Sequence, residues 1–165
     1  MNDKYELTKV SIDFFGKKLF QIKAKRTFWS VNKWDLGWYI EKEKNLSVSD
    51  NSWVFGNARV FGNARVSDNA IVSDNASIYG DAKVSGDAIV SDNARVYDNA
   101  RVFGDACVYG DVRIYNYAWV YSNADARLND NAWLLAKNNY SKWSFNSITI
   151  ELTPEQIKKV RELLK

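Results

Sequence analysis

The chain has 165 residues, 46% of them hydrophobic and 15% aromatic, enough for one domain with a sizeable core and too apolar for a disordered segment. A net charge of +3 permits an acidic partner without the sign excess of a dedicated basic tail. Cys107 is the only cysteine, which excludes an intramolecular disulfide. The lack of any histidine removes a histidine general base and a histidine-held zinc site.

Residues 1–44 read as an N-terminal β cap. Tyr5 to Phe14 and Lys18 to Phe28 have strand character around Gly16, and Lys33-Trp34-Asp35-Leu36-Gly37 follows as a loop. The start Met1-Asn2-Asp3-Lys4 lacks a signal-peptide pattern and no apolar run reaches the ~20 residues of a membrane helix. A cytoplasmic protein with no membrane association is therefore expected.

Residues 45–136 carry a six-residue period. Thirteen hexads run without interruption from Asn45 to Ser122, Asn123 and Ala124 are left over, and two more hexads follow at Asp125–Asp130 and Asn131–Ala136. A unit this short holds one brief strand and one corner, so each hexad is one side of a coil. In Asn57-Ala58-Arg59-Val60-Phe61-Gly62, alternation turns Ala58 and Val60 inward and Arg59 and Phe61 outward. Gly, Asp and Asn occupy the corners because they enter left-handed backbone conformations most cheaply.

An aliphatic residue followed four positions later by a small one, as in Val60 and Ala64, Val66 and Ala70 or Val102 and Ala106, resembles the motif of the hexapeptide-repeat family. The resemblance covers about half the chain and implies a mainly β fold: a left-handed parallel β-helix, triangular in section, with three hexads per coil. Fifteen hexads then give about five coils, spaced by roughly 4.8 Å. The left hand comes from the resemblance alone, since the usual crossover rule favours the right. The lead-in Asp35-Leu36-Gly37-Trp38-Tyr39-Ile40-Glu41, running on to Asn45-Leu46-Ser47, resembles that of largely uncharacterised phage and prophage hexapeptide-repeat proteins.

Residues 137–165 read as a closing strand and helix. Ser147 to Leu152 alternates like a strand, and Thr153-Pro154-Glu155-Gln156 has the order of a capped helix start. The helix, expected to run to about Leu164, puts Ile157, Val160, Leu163 and Leu164 on one face for docking on the last coil.

Enzymes of the hexapeptide family are mostly acyltransferases that use a histidine base, and related carbonic anhydrases hold zinc with histidines. With no histidine here, no catalytic residue, metal or cofactor is assigned. Cys107 has no partner base in the sequence and reads as a small apolar surface or interface residue. Asp87 and Asp105, eighteen apart, are expected to stack at one corner on successive coils, joined by Asp125 once the two leftover residues are allowed for. That column suits a calcium ion or, more simply, solvated carboxylates.

The outward columns carry the functional expectation. Residues eighteen apart place Arg59, Ser77, Arg95 and Arg113 beside Phe61, Tyr79, Tyr97 and Tyr115, an Arg/aromatic face suited to protein recognition or to nucleic acid, and also to simple strand stabilisation. A second face carries Arg65, Lys83, Arg101 and Trp119. The third is apolar, with Trp53, Ile71, Ile89 and Cys107, and is expected to pack on a second subunit, a partner or a terminal segment. Together with the phage-like lead-in, these columns lead to the expectation of a non-enzymatic protein that inhibits a host protein, such as a defence protein, or a nucleoprotein by surface recognition. A nucleic-acid or nucleotide binder and an acyltransferase-like enzyme are the alternatives.

Overall fold

The computed structural model describes residues 2–128, 133–136, 141–145 and 148–152, with side-chain surroundings for residues 2–120. It is a parallel β-helix of about five coils built mostly from two-residue strands. Arg59 pairs in parallel with Ser77, Arg65 with Lys83 and Trp53 with Ile71. The partner is eighteen residues away on all three faces. Inside, the Ala and Val positions form unbroken columns: Ala58, Val60, Ala64 and Val66 through Ala118 and Val120 are at most 1% exposed.

The corners show why the sequence chooses between glycine and aspartate. The first corner residue has φ between +56° and +80°, whether it is Gly56, Gly62 and Gly80 or Asp68, Asp74 and Asp92. A Cβ built on Gly56 would lie 2.6 Å from the backbone nitrogen of Asp74, so the corner above leaves no space. Where aspartate is present, its carboxylate reaches the next coil. Asp68 Oδ2 accepts the Gly86 N–H at 2.9 Å, and Asp92 Oδ2 accepts that of Gly110 at 3.0 Å.

The cap has three strands: β1 (Tyr5–Phe14), β2 (Lys17–Ala24) and β3 (Leu36–Ile40). The second strand is shorter than the expected Lys18–Phe28, because the chain bends at Lys25 and Arg26 and Phe28 bridges to Val31. The expected loop at 33–37 gives way to β3 at Leu36, which pairs antiparallel with β2 and, through Tyr39 and Arg59, parallel with the first coil. The hairpin therefore extends the face that carries the arginine column.

The first hexad differs from its expected form. Leu46, not Val48, bridges to Val66, while Asn51 N–H binds the Asp68 carbonyl in the regular way. Two extra residues therefore bulge outward between them, leaving Val48 37% exposed and Leu46 buried. The N-terminal segment explains the bulge. The Tyr5 hydroxyl donates to the Glu43 and Leu46 carbonyls, and the buried Lys4 Nζ donates to Ser47 O at 2.8 Å and Ser52 O at 2.6 Å. Burial pushes Lys4 down to about 8 against the pull of the Asp50 carboxylate.

At the far end, Ile148–Leu152 lies within the expected strand and pairs antiparallel with Trp119–Leu128 and with Ser141–Phe145. The leftover Asn123 and Ala124 appear as a register shift: Gly104 pairs with Ser122, but Ala106 pairs with Ala126. The helix expected from Thr153 lies outside the described residues.

Two measurements test this account. Gly56→Ala combines left-handed strain of about 1–2 kcal/mol with overpacking of about 1–3 kcal/mol, so urea denaturation is expected to show a loss of roughly 2–5 kcal/mol. Asp68→Ala, which removes the exposed hydrogen bonds from the Gly86 N–H and the Ser67 hydroxyl, is expected to cost only about 1 kcal/mol. Asp50 supplies the pH test. Burial opposes its ionisation, but hydrogen bonds from Ser47, Ser52 and the Asp68 N–H outweigh that and lower its pKa below 3.8. Its contribution is complete above that value and is lost as the pH falls through the lower folded one. Thermal melts should show the wild-type advantage over Asp50→Asn at pH 7 shrinking below about pH 4.

Candidate recognition surface

The face formed by β3, Arg59–Val60, Ser77–Ile78, Arg95–Val96 and Arg113–Asn116 brings the Arg/aromatic columns together. Arg59 pairs with Ser77, Ser77 with Arg95 and Arg95 with Arg113. Two residues further along each strand, Phe61, Tyr79, Tyr97 and Tyr115 stack face to face. Their centroids are separated by 5.0, 4.9 and 5.2 Å, and their planes by no more than 6°. This spacing is set by the strand repeat, which holds identical positions one strand apart in register.

The ladder is partly sheltered. Phe61 is buried and Tyr79, Tyr97 and Tyr115 are half-buried. Burial raises the pKa of Tyr79, and of Tyr97 with added repulsion from Tyr79 and Tyr115, so both are neutral phenols at neutral pH. Tyr79 and Tyr97 each have a stacked ring on both faces. A partner arriving at the middle of the ladder meets ring edges.

Ser77 interrupts the arginine column and makes a notch. The notch is a hollow of about 300 Å³ walled by Arg59, Arg95, Tyr79 and the hairpin tip residues Phe14 and Phe15. Phe14 packs edge-on against Phe61 at 5.7 Å, and the Arg59 guanidinium lies 4.5 Å over the Phe14 ring. Arg59 Nε is buried without a hydrogen-bond acceptor. Ser77 itself is only 6% exposed.

The hairpin tip adds a feature that the sequence reading missed. Phe15 and Gly16 form a two-residue turn with φ of +48° and +71°, and Phe15 is 82% exposed. Such turns need positive φ at both central positions and favour Asn-Gly or Asp-Gly. A bulky, exposed aromatic there combines backbone strain with an unfavourable surface. The signal available in the sequence was the Phe-Phe-Gly run between two strands.

The apolar face is only partly open. Ile71 pairs with Ile89 and Ile89 with Cys107, as the period requires. Trp53 heads this column but is fully buried, and so it is removed from the interface candidates. Tyr5 and Phe28 pack edge-on against it, with centroids 6.2 and 5.3 Å away. The chain's own N-terminal segment thus covers the first coil of that face. Ile89 is 37% exposed, while Ile71 and Cys107 are half-buried.

Cys107 has its sulfur 3.9 Å from the Asp105 carbonyl. Asp87 accepts a hydrogen bond from Asn69 Nδ2 at 2.8 Å, a corner contact between coils, while Asp105 falls in the register shift between the Gly104–Ser122 and Ala106–Ala126 pairs. Among the described residues no three metal-ligating side chains converge. Also among them, no helix is long and apolar enough to cross a membrane.

A family model for the YdcK beta solenoid repeat matches residues 64–80 and 94–109. These two stretches lie in the central coils and include Val66, Ala70, Val102 and Ala106. No curated protein matches the chain. Over those coils the chain is similar to a β-solenoid repeat family.

Phe15→Asn tests the strain at the hairpin tip. Asparagine adopts positive φ more readily, so the melting temperature is expected to rise, by an amount corresponding to about 0.5–1 kcal/mol. An unchanged or lower value would mean that Phe15 contributes packing that offsets its backbone strain.

Proposed function

We propose that the protein is a non-enzymatic binding protein that acts by surface recognition, occluding a host protein or nucleoprotein through its Arg/aromatic face. A phage-encoded inhibitor of a host defence protein is the form of this reading suggested by the lead-in at Asp35–Glu41 and by the lack of histidine. The observation that carries it is the rigid ladder of stacked tyrosines flanked by Arg59, Arg95 and Arg113, with the Ser77 notch between two of the arginines.

The physical support is the low cost of ordering this surface. Tyr and Arg dominate binding energy at protein interfaces. Stacking holds the rings before a partner arrives, which reduces the entropy lost on association. Three guanidinium groups on one face favour an acidic partner surface and raise its rate of encounter. Base stacking needs an open ring face, which Tyr79 and Tyr97 do not offer. This favours protein over nucleic acid as the ligand of this face.

The test is a pull-down from host lysate, with and without nuclease, comparing wild type with the variant Arg95→Ala, Tyr97→Ala, Arg113→Ala, Tyr115→Ala. The expected result is a protein partner that survives nuclease and is lost from the variant, with affinity reduced about 30-fold or more while circular dichroism shows an intact fold. Retention of the partner by the variant at wild-type strength would place recognition on another face.

A further inference from the structure

We propose that a second, separate face of the β-helix is a track for a single strand of nucleic acid. Arg65, Lys83 and Arg101 pair in sequence along this face, and Trp119 takes the next position. The short 3-10 turn Glu43–Asn45 lies at the start of the row, because Leu46 bridges to Val66 and the Asn45 amide donates to the Gly62 and Ala64 carbonyls. Lys42 and Lys44 are thereby added to the end of the row. The groove along it has a volume of about 970 Å³.

The charge of this groove is only partly compensated within the protein, where Lys42 Nζ donates to Asn63 Oδ1 at 3.4 Å and the Arg101 guanidinium lies 4.9 Å over the Trp119 ring. The groove is lined by the five cations Lys42, Lys44, Arg65, Lys83 and Arg101 and by two carboxylates, Glu43 and Asp81, a net +3 that equals the formal charge of the whole chain. Among the described residues the ion pairs are Lys4–Asp50, Lys17–Glu41 and Arg26–Asp3. None of them involves a groove cation. Asp81 is engaged by Asn63 Nδ2 at 3.1 Å. Like charges directly opposite on neighbouring strands destabilise a sheet, and a polyanion laid along the row relieves that repulsion.

The geometry selects a single strand. The cations form one line rather than two rows set a groove apart. Two strand spacings of about 4.8 Å make the row of three roughly 10 Å long, and Lys42 and Lys44 extend it at one end. A second hollow, of about 690 Å³, lies beside the first and shares Glu43, Lys44, Arg65 and Lys83 with it. Lys44, Arg65 and Lys83 therefore stand between two hollows, so phosphates fit on the row and, along this part of it, bases fit to either side. Tyr117, 44% exposed, stands at the far end of the corner column that also holds Asn63 and Asn99. An aromatic and amides beside a basic row are the elements of single-strand recognition.

Fluorescence anisotropy of the full chain with a labelled 12-nucleotide oligouridine tests this, with RNA duplex and polyglutamate as competitors. Binding is expected to weaken between 50 and 200 mM salt with a log–log slope of about −2 to −3.5, for three to five phosphates neutralised. Arg65→Glu, Lys83→Glu, Arg101→Glu together should reduce affinity about 30-fold or more. The four-alanine variant of the Arg/aromatic face should bind as wild type, which separates this site from the recognition face. If the charge reversal impairs folding, the three glutamine substitutions replace it, and these should melt no lower than wild type. Absence of binding at 50 mM salt, wild-type affinity in the variant with Arg65, Lys83 and Arg101 replaced, or stronger competition by duplex or polyglutamate than by the single strand would overturn the proposal.

Discussion

The positive φ of the first residue at each corner from Gly56 to Asn116 is the constraint on which the surface depends. It lets the chain turn within one or two residues, so that six residues make a side and eighteen make a coil. Backbone hydrogen bonds then fix the register of one coil on the next, as in Arg95 N–H to the Val112 carbonyl at 2.8 Å and Tyr97 N–H to the Ile114 carbonyl at 2.9 Å. Once this register is set, a side chain's neighbours follow from its position modulo eighteen. The tyrosine stack, the cation row and the Ile71–Ile89–Cys107 column are three results of the same arithmetic.

The corner residues contribute to strength as well as direction. Glycine is used where the coil above comes too close for a Cβ, and aspartate where its carboxylate can accept the next corner's N–H. The corner that such an aspartate reaches is glycine at Gly86 and Gly110, but it is aspartate at Asp68 and Asp92 and asparagine at Asn116. In this way the exposed edges of the prism are hydrogen-bonded from coil to coil without using the outward columns. Those columns are left to vary in charge and shape.

Much of the repeat was legible because both its faces and its coils obey a fixed count. The sequence placed Arg95 beside Arg113 and Tyr97 beside Tyr115 without any tertiary information. What it could not place were departures from the count and contacts made by the non-repeating cap. Val48 fits the pattern as a core residue, yet Leu46 takes its place because Lys4 and Tyr5 claim the carbonyls of that corner. Trp53 has an outward position, yet the cap covers it. The notch at Ser77 requires the hairpin tip to lean over the first coils, and nothing in the local sequence of either segment announces that meeting.

The eighteen-residue count also determines how such a protein can change length. Inserting or deleting one whole coil shortens or lengthens every column together and leaves each face with its own chemistry. Inserting a single hexad would instead rotate everything downstream by one face, so arginines of the aromatic face would continue the cation row and isoleucines would continue the arginine column. Duplication of complete coils is therefore the route by which a surface of this kind can be extended while its partner still recognises it, and the two-residue insertion at Asn123 and Ala124 shows a smaller change absorbed within a corner, with pairing resumed at Ala126.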